Sequence, residues 1–194
     1  MPESNFFAMM SRMRYIERWA LMRNSRPENI SEHSLEVAML SHLLATLTNV
    51  RLGGHLDAEK AALIGLYHDS TEIMTGDMPT PVKYFNPDIK TAYKDVEHTA
   101  AVKLLSLLPE DLRSTYQDYF FKNAEDTELW KLVKAADKLS ALIKCIEEEK
   151  AGNREFVSAK EATLASLEAM KLPQVSMFLT EFLPAYEKTL DELG

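Results

Sequence analysis

A single cysteine, Cys145, stands in the 194 residues, so no disulfide can form within the chain. That fits a reducing compartment. The apolar helical surroundings of Cys145 in "ALIKCIEEEK" suit a packed thiol better than a reactive one. Glycine and proline are scarce, 6 and 8 in all, and they gather between periodic segments, which leaves long stretches without helix breakers. No uninterrupted apolar stretch approaches the ~20 residues that cross a bilayer. The opening "MPESNFFAMMSRMRY" lacks the apolar core and cleavage site of a secretory signal. These absences set the expectation of a cytoplasmic protein with no membrane partner. Positive charge is also in short supply, 22 Lys and Arg against 30 Asp and Glu, for a net charge of −8. Such a field repels a nucleic-acid polymer. Small anionic substrates stay allowed, because a metal ion or one or two arginines reverse the sign locally.

What is present is an ordinary globular balance, 46% apolar and 27% charged, over a length that builds one hydrophobic core. Residues 1–194 read as a single domain. Sustained strand alternation is missing, so the expected fold is all-α with about eight helices. Phe6, Met9, Met10, Met13 and Ile16 follow helical spacing, which predicts a first helix over 4–19. Asn29 followed by Glu32 resembles a capping box and starts a second helix near Ile30. Asp57 is a candidate N-cap for a third, "AEKAALIGLYHDSTEI", nearly apolar through its middle and so central. A loop, "TGDMPTPVKYFNPD", follows. Further helices are expected over 88–107, from Pro109, through "DTELWKLVKAADKLSALIKCIEEEK" with Asp126 or Thr127 as cap, and over 154–170 and 174–192.

The third helix carries the first chemical signal. His68 and Asp69 are adjacent, and Glu72 lies three and four residues on, sharing their face. Alone, the trio is compatible with a helix-end histidine and two solvated acids. Carboxylates near a helix C-terminus oppose the macrodipole, however, and a cation there would repair the conflict. His33 lies in the first turns of the second helix beside an expected core stripe of Leu35, Val37, Ala38, Leu40, Leu43 and Leu44. Asp137 sits among Leu132, Val133, Ala136, Leu139 and Ser140, where an aspartate is costly unless paired or metal-bound. A satisfied core histidine and a salt bridge to Lys134 or Lys138 are the plain alternatives. Together, three helices offer His, His-Asp and Asp. This mixed imidazole and carboxylate set suits a borderline divalent ion that could activate water and polarise a phosphoryl oxygen.

The order His33, His68-Asp69, Asp137 resembles the HD-domain metal-dependent phosphohydrolases. The segments "RWALMRNSRPENISEHSLEVAML", "YHDSTEIMTGDMPTPVKYFN" and "VKAADKLSALIKCIEE" are similar to the bacterial 5′-deoxynucleotidases within them. The likeness implies an all-α fold and hydrolysis of deoxyribonucleoside 5′-monophosphates to nucleoside and phosphate. It implies His33, His68, Asp69 and Asp137 as ligands of a divalent transition metal, with Co2+ or Mn2+ favoured, and a homodimer. Asp69 and Asp137 would also face the substrate. Arg18 would orient the phosphate, Trp19 would wall off a ribose 2′-hydroxyl, and Glu72 would assist the attacking water. Asp77, Met78, Pro79 and Thr80 would line the nucleoside side, with Asp77 as acceptor for the 3′-hydroxyl. Lys83 and Arg26 are further cationic candidates near the phosphate. His42, His55 and His98 show no partner pattern and read as structural or exposed. Two other functions stay open on the residues alone. One is a related hydrolase of triphosphates or a signalling nucleotide. The other is a helical binding module with a closed structural metal, which would have no use for Glu72.

Overall fold

The computed structural model describes residues 3–83 and 85–194; Tyr84, within the quoted "GDMPTPVKYFN", lies outside them. The fold is all-α, and the described residues contain no strand, only an isolated antiparallel bridge between Glu17 and Asn29. Three helices carry the centre: α2 (Ile30–Leu52), α3 (Ala58–Tyr67) and α8 (Thr127–Lys150), each packed on the other two. Asn29 caps α2 by accepting from the Ser31 and Glu32 amides, both at 3.0 Å. Glu32 turns to Arg26 at 3.1 Å. Gly53, at φ 71°, ends α2 in the left-handed conformation that glycine adopts without strain. Asp57 caps α3 through the Lys60 amide. Asp126 precedes α8 but makes no cap; its carboxylate pairs with Lys60 at 2.7 Å.

Val37, Leu40 and Leu44 of α2, Ile64 of α3, and Leu132, Leu139 and Ile143 of α8 interlock as the main core. Leu167 of α9 (Val157–Ala169) and Phe178 of α10 (Pro173–Glu181) close it. A second cluster joins α1 (Phe6–Met10), α6 (Pro87–Ser106) and α7 (Glu110–Phe120) around fully buried Phe6, against which Tyr67, Tyr116 and Phe120 pack. Gly65 permits the closest approach of α3 to α2. A Cβ there would meet the Ala38 Cα and the Ser41 Oγ at 3.0 Å. Cys145 is fully buried, and burial pushes its thiol up to about 11, as suits a packed, unreactive group. Among the described residues no helix is long and apolar enough to cross a membrane.

Three sequence-based boundaries need correction. The first helix stops at Met10, continues as a tight 3₁₀ segment to Tyr15, and does not reach 19. Residues 16–18 are drawn into extended backbone by pairing with 28–30: Arg18 N–H donates to the Glu28 carbonyl and Ile30 N–H to the Ile16 carbonyl. The third helix ends at Tyr67. Residues 68–71 form a turn, and Glu72 opens a separate short helix, α4 (Glu72–Thr75). The last helix breaks at Glu181, because Pro184 cannot continue it, and 3₁₀ turns follow. The loop also contains one helical turn, α5 (Thr80–Lys83).

Along α8, Asp137, Ser140, Lys144 and Glu148 recur at helical spacing and form a polar stripe on a mostly buried face. Its far end is a latch. Glu148, 1% exposed, is paired with Lys144 and accepts from the Ser25 amide at 2.8 Å, the Ser25 hydroxyl at 2.6 Å and Asn153 at 2.8 Å. Lys144 donates on to the Arg26 carbonyl. The latch fixes the 23–26 turn that precedes Glu28 and α2. Burial alone would raise the Glu148 carboxyl, but the hydrogen bonds from Lys144, Ser25 and Asn153 outweigh it and lower it from 4.5 to about 2. Its contribution to stability is therefore present above about 4.5 and lost as pH falls toward 2. Glu148→Ala leaves a buried lysine unpaired. It should cost about 3–5 kcal/mol in urea unfolding at neutral pH, and the difference from wild type should shrink toward pH 2.

Candidate metal centre and adjoining cavity

His33 lies in the first turn of α2 with its ring fully buried. Its Nε2 is 3.3 Å from Asp69 Oδ2 and 3.3 Å from Asp137 Oδ1. His68 caps the end of α3, and its Nε2 is 3.2 Å from the same Asp69 oxygen. The two imidazole centroids are 5.3 Å apart. The turn that presents this pair is closed by the Ser70 amide and hydroxyl on the Tyr67 carbonyl, at 3.0 and 2.6 Å. His33, His68 and Asp69 offer one ligand atom each within a 4.8 Å span, and Asp137 joins them through its contact with His33.

The donor atoms fit a cation. Both Nε2 atoms are buried and have no hydrogen-bond partner. They approach carboxylate oxygens closely without hydrogen-bond geometry, as atoms do when they aim at a common point. The other ring nitrogens are engaged. His68 Nδ1 lies 2.7 Å from the Gly65 carbonyl, which can only accept, so Nδ1 carries a proton and Nε2 is the nitrogen left to act as a ligand when the ring is neutral. The close packing at Gly65 thus sets the ring that it also orients.

Charge is crowded here. Burial disfavours ionised Asp69 and Asp137, yet the neighbouring imidazoles hold Asp69 well below, and Asp137 below, the usual aspartate range. Burial also opposes a charge on His68, but Asp69 beside it prevails and raises the ring to about 9. Glu72, 7% exposed, is pushed up to about 10 by burial and by Asp69 and Asp77, against the pull of Arg18 and Lys83. Its Oε2 has no partner. Glu72 begins a helix, so the macrodipole argument for a cation does not apply to it; burial and repulsion supply the conflict instead.

Arg18 is the nearby counter-charge. Burial opposes it, while Glu28, Asp137, Asp69 and Asp77 hold it ionised. Its Nη1 donates to Glu28 Oε2 at 2.7 Å, and Nη2 is 4.0 Å from Asp137. Trp19 follows at φ 63°, a strained backbone for a bulky residue. Its amide donates to Asp77 at 3.2 Å and its indole N–H to the same Glu28 oxygen at 2.8 Å. Phe156 packs against its ring, centroids 5.3 Å apart.

A cavity of about 830 Å³ opens beside this cluster. Arg18, Trp19, Asp77, Pro79, Thr80 and Asp137 line it; Asp137 therefore belongs to both the donor cluster and the cavity wall. Met78 is half-buried and is not on the lining. Neither are Lys83, paired with Glu97 at 2.7 Å, and Arg26, paired with Glu32. Lys138 is on it, together with a wall of small residues from α9, Ser158, Ala162 and Thr163. Sequence reasoning missed this wall, because small residues on a helix carry no chemical signal. It also missed Glu28, whose neighbours in "RPEN" look like a turn, and the Ser140–Glu36 contact behind His33. His42, His55 and His98 are exposed, as expected.

The 5′-deoxynucleotidase of Vibrio parahaemolyticus is 47% identical over 194 residues, spanning all of both chains. The 5′-deoxynucleotidase YfbR of Escherichia coli is 47% identical over all of this chain and 98% of its own. In fold, an HD-domain phosphohydrolase from Listeria innocua matches with a TM-score of 0.80 at 24% identity, over 94% of this chain and 88% of its own. A cyanophage HD phosphohydrolase bound to dA and one catalytic Zn2+ matches with a TM-score of 0.61 at 21% identity, over 97% and 99%. The model of the YfbR-like 5′-deoxynucleotidases matches residues 5–186, and the chain belongs to that family.

Proposed function

We propose that this chain is a metal-dependent 5′-deoxynucleotidase, one domain over residues 1–194, which hydrolyses deoxyribonucleoside 5′-monophosphates to deoxynucleoside and phosphate. The observation that carries the reading is the pair of buried, unpartnered Nε2 atoms on His33 and His68, converging with Asp69 and Asp137 at the edge of the cavity. These four residues would hold one divalent transition ion, Co2+ or Mn2+ by this reading; their nitrogen and oxygen donors suit that class. When bound, such an ion supplies a Lewis acid that lowers the pKa of water and offsets phosphoryl charge. The names of the curated relatives, and the dA and Zn2+ held by the cyanophage protein, support the same class of chemistry.

The chain's own residues account for the rest. Arg18 presents its guanidinium at the cavity wall beside Asp137, placed to orient the phosphate with a fork of donors. Glu72 is forced toward its protonated form by burial and by the surrounding acids, and a dication among them would favour the carboxylate. Its unpartnered Oε2 then orients the attacking water and accepts its proton. Water oxygen joins phosphorus, the P–O5′ bond breaks, and the proton accepted by Glu72 is returned to O5′ as the deoxynucleoside leaves. Trp19 is clamped by Glu28, Asp77 and Phe156, and so forms a stiff wall that excludes a 2′-hydroxyl instead of attracting its absence. Asp77 is the acceptor for the 3′-hydroxyl, and Pro79 and Thr80 continue that side. Arg18 and Lys138 are the cations of the lining, a supply suited to a monophosphate more than a triphosphate. We further propose a cytoplasmic homodimer, which sedimentation of the purified protein tests.

Protein stripped by chelator should be inactive on dAMP and recover with Co2+ or Mn2+. Full activity after stripping would remove the metal from the reading. Glu72→Ala should bind metal within a few-fold of wild type while kcat falls by roughly 10²–10⁴; unchanged turnover would take Glu72 out of the reaction. AMP should be a much poorer substrate than dAMP in a phosphate-release assay, and Trp19→Ala should narrow the gap. Equal rates in wild type would refute selection at the sugar.

A further inference from the structure

The two histidines of the cluster are held from behind in different ways. His68 Nδ1 faces a backbone carbonyl, whose role as acceptor is fixed. His33 Nδ1 faces the Ser140 hydroxyl at 3.0 Å, and a hydroxyl can donate or accept. The polarity of that contact decides which nitrogen of His33 carries the proton. The front of the ring pulls the wrong way for ligation: Asp69 and Asp137 both lie 3.3 Å from Nε2. Two carboxylates at that distance favour a proton on Nε2, where it would block metal binding. Some group behind the ring must oppose them.

Ser140 is fully buried, and its hydroxyl donates to Glu36 Oε2 at 2.5 Å, the length of a charge-assisted hydrogen bond. A hydroxyl has one proton. Once it is committed to Glu36, the Ser140 oxygen is left as an acceptor toward His33 Nδ1. We infer that Glu36, acting through Ser140, is a positioning residue that keeps the His33 proton on Nδ1 and its Nε2 lone pair directed at the metal. This inference rests on the four-ligand reading proposed above and deepens it. Glu36 stands one turn beyond His33 on α2, and Ser140 one turn beyond Asp137 on α8. The relay therefore ties together the two helices that carry those ligands, at the next turn from each. Glu36 lies away from the substrate cavity, on a separate cleft of about 190 Å³ that it shares with Glu28, Leu35 and Ile143. Its hydrogen-bonded route to the metal site runs through Ser140.

The test compares wild type, Ser140→Ala and Glu36→Gln by Co2+ titration against a competing chelator. An amide can donate where the carboxylate only accepts, so Glu36→Gln releases the polarity while keeping the shape. Each variant should bind Co2+ about 10–100-fold more weakly, with kcat at saturating metal within a few-fold of wild type. In zinc-loaded wild type, proton NMR should show a slowly exchanging His33 Nδ1–H, and Ser140→Ala should lose that protection. Circular dichroism and the Tm of the stripped proteins establish that each variant is folded. Half-buried Glu36→Gln provides a folded test even where Ser140→Ala is destabilised. Wild-type Co2+ affinity in folded variants would overturn the relay alone. Wild-type protein that binds no Co2+, Mn2+ or Zn2+ would overturn the underlying four-ligand reading as well.

Discussion

Asp69, Asp77 and Asp137 act on the buried Arg18 guanidinium, Glu28 accepts its hydrogen bond, and Glu72 feels the charge of Asp69. One guanidinium cannot balance that many carboxyls at reduced dielectric. The strain emerges wherever the side chains can express it. Glu72 takes up a proton at pH values where an ordinary glutamate is ionised, and His68 keeps one where an ordinary imidazole has lost it. Burial raises Glu72 and the excess of negative charge adds to it, while at His68 the same excess outweighs burial. A single dication placed among the donors would relieve that excess, favouring a carboxylate at Glu72 and a neutral ligand at His68. The fold therefore holds together a site whose charges the chain alone leaves unbalanced.

Holding such a cluster together requires stiffness around it, and the packing supplies that stiffness in a definite order. The main core locks α2, α3 and α8 against one another. Gly65 brings α3 close enough to α2 for His68 and His33 to meet, and its carbonyl orients the His68 ring. The polar stripe of α8 then runs the length of the site. Asp137 faces the donors, Ser140 backs His33, and Lys144 with Glu148 fastens the turn that leads to Glu28. Polar residues buried at helical spacing are costly singly. Here each is satisfied by the next element of the site, so positioning the chemistry also secures the 23–26 loop.

The sequence marked the four residues that the fold brings together, because each stands out against a local pattern. Asp137 interrupts an apolar face, His33 borders one, and His68-Asp69 ends another. The end of the first helix was not legible: the spacing of Ile16 continues a helix, but the backbone pairing of 16–18 with 28–30 is a long-range contact that overrides local periodicity. The same pairing explains why Glu28 escaped notice. Nothing in "RPEN" announces a residue that binds two side chains across the bridge. Ser140, Lys144 and Glu148 did leave a signal, since with Asp137 they occupy one face of α8 at intervals of three and four. Reading that face as a stripe, in place of one odd aspartate, would have pointed to the whole network. The α9 wall had no such signal. Serine, alanine and threonine on a helix become a cavity surface only when the opposite wall is in place.

The shared Glu28 oxygen has a consequence for how phosphate and sugar are handled. It accepts from both the Arg18 guanidinium and the Trp19 indole, so a shift of either side chain is felt by the other. Trp19 also bears a left-handed backbone, and its amide and indole are both tied down there. On the proposed reading, the residue that orients the phosphate and the residue that walls off the ribose hydroxyl share one anchor. A substrate that displaced Trp19 to make room for a 2′-hydroxyl would pull on Glu28 and disturb Arg18. Discrimination at the sugar would then be expressed at the phosphate, where the bond is broken, as well as in binding. That coupling needs no moving domain. It follows from one carboxylate oxygen with two donors on adjacent residues, held by a bridge that the helical periodicity of the sequence conceals.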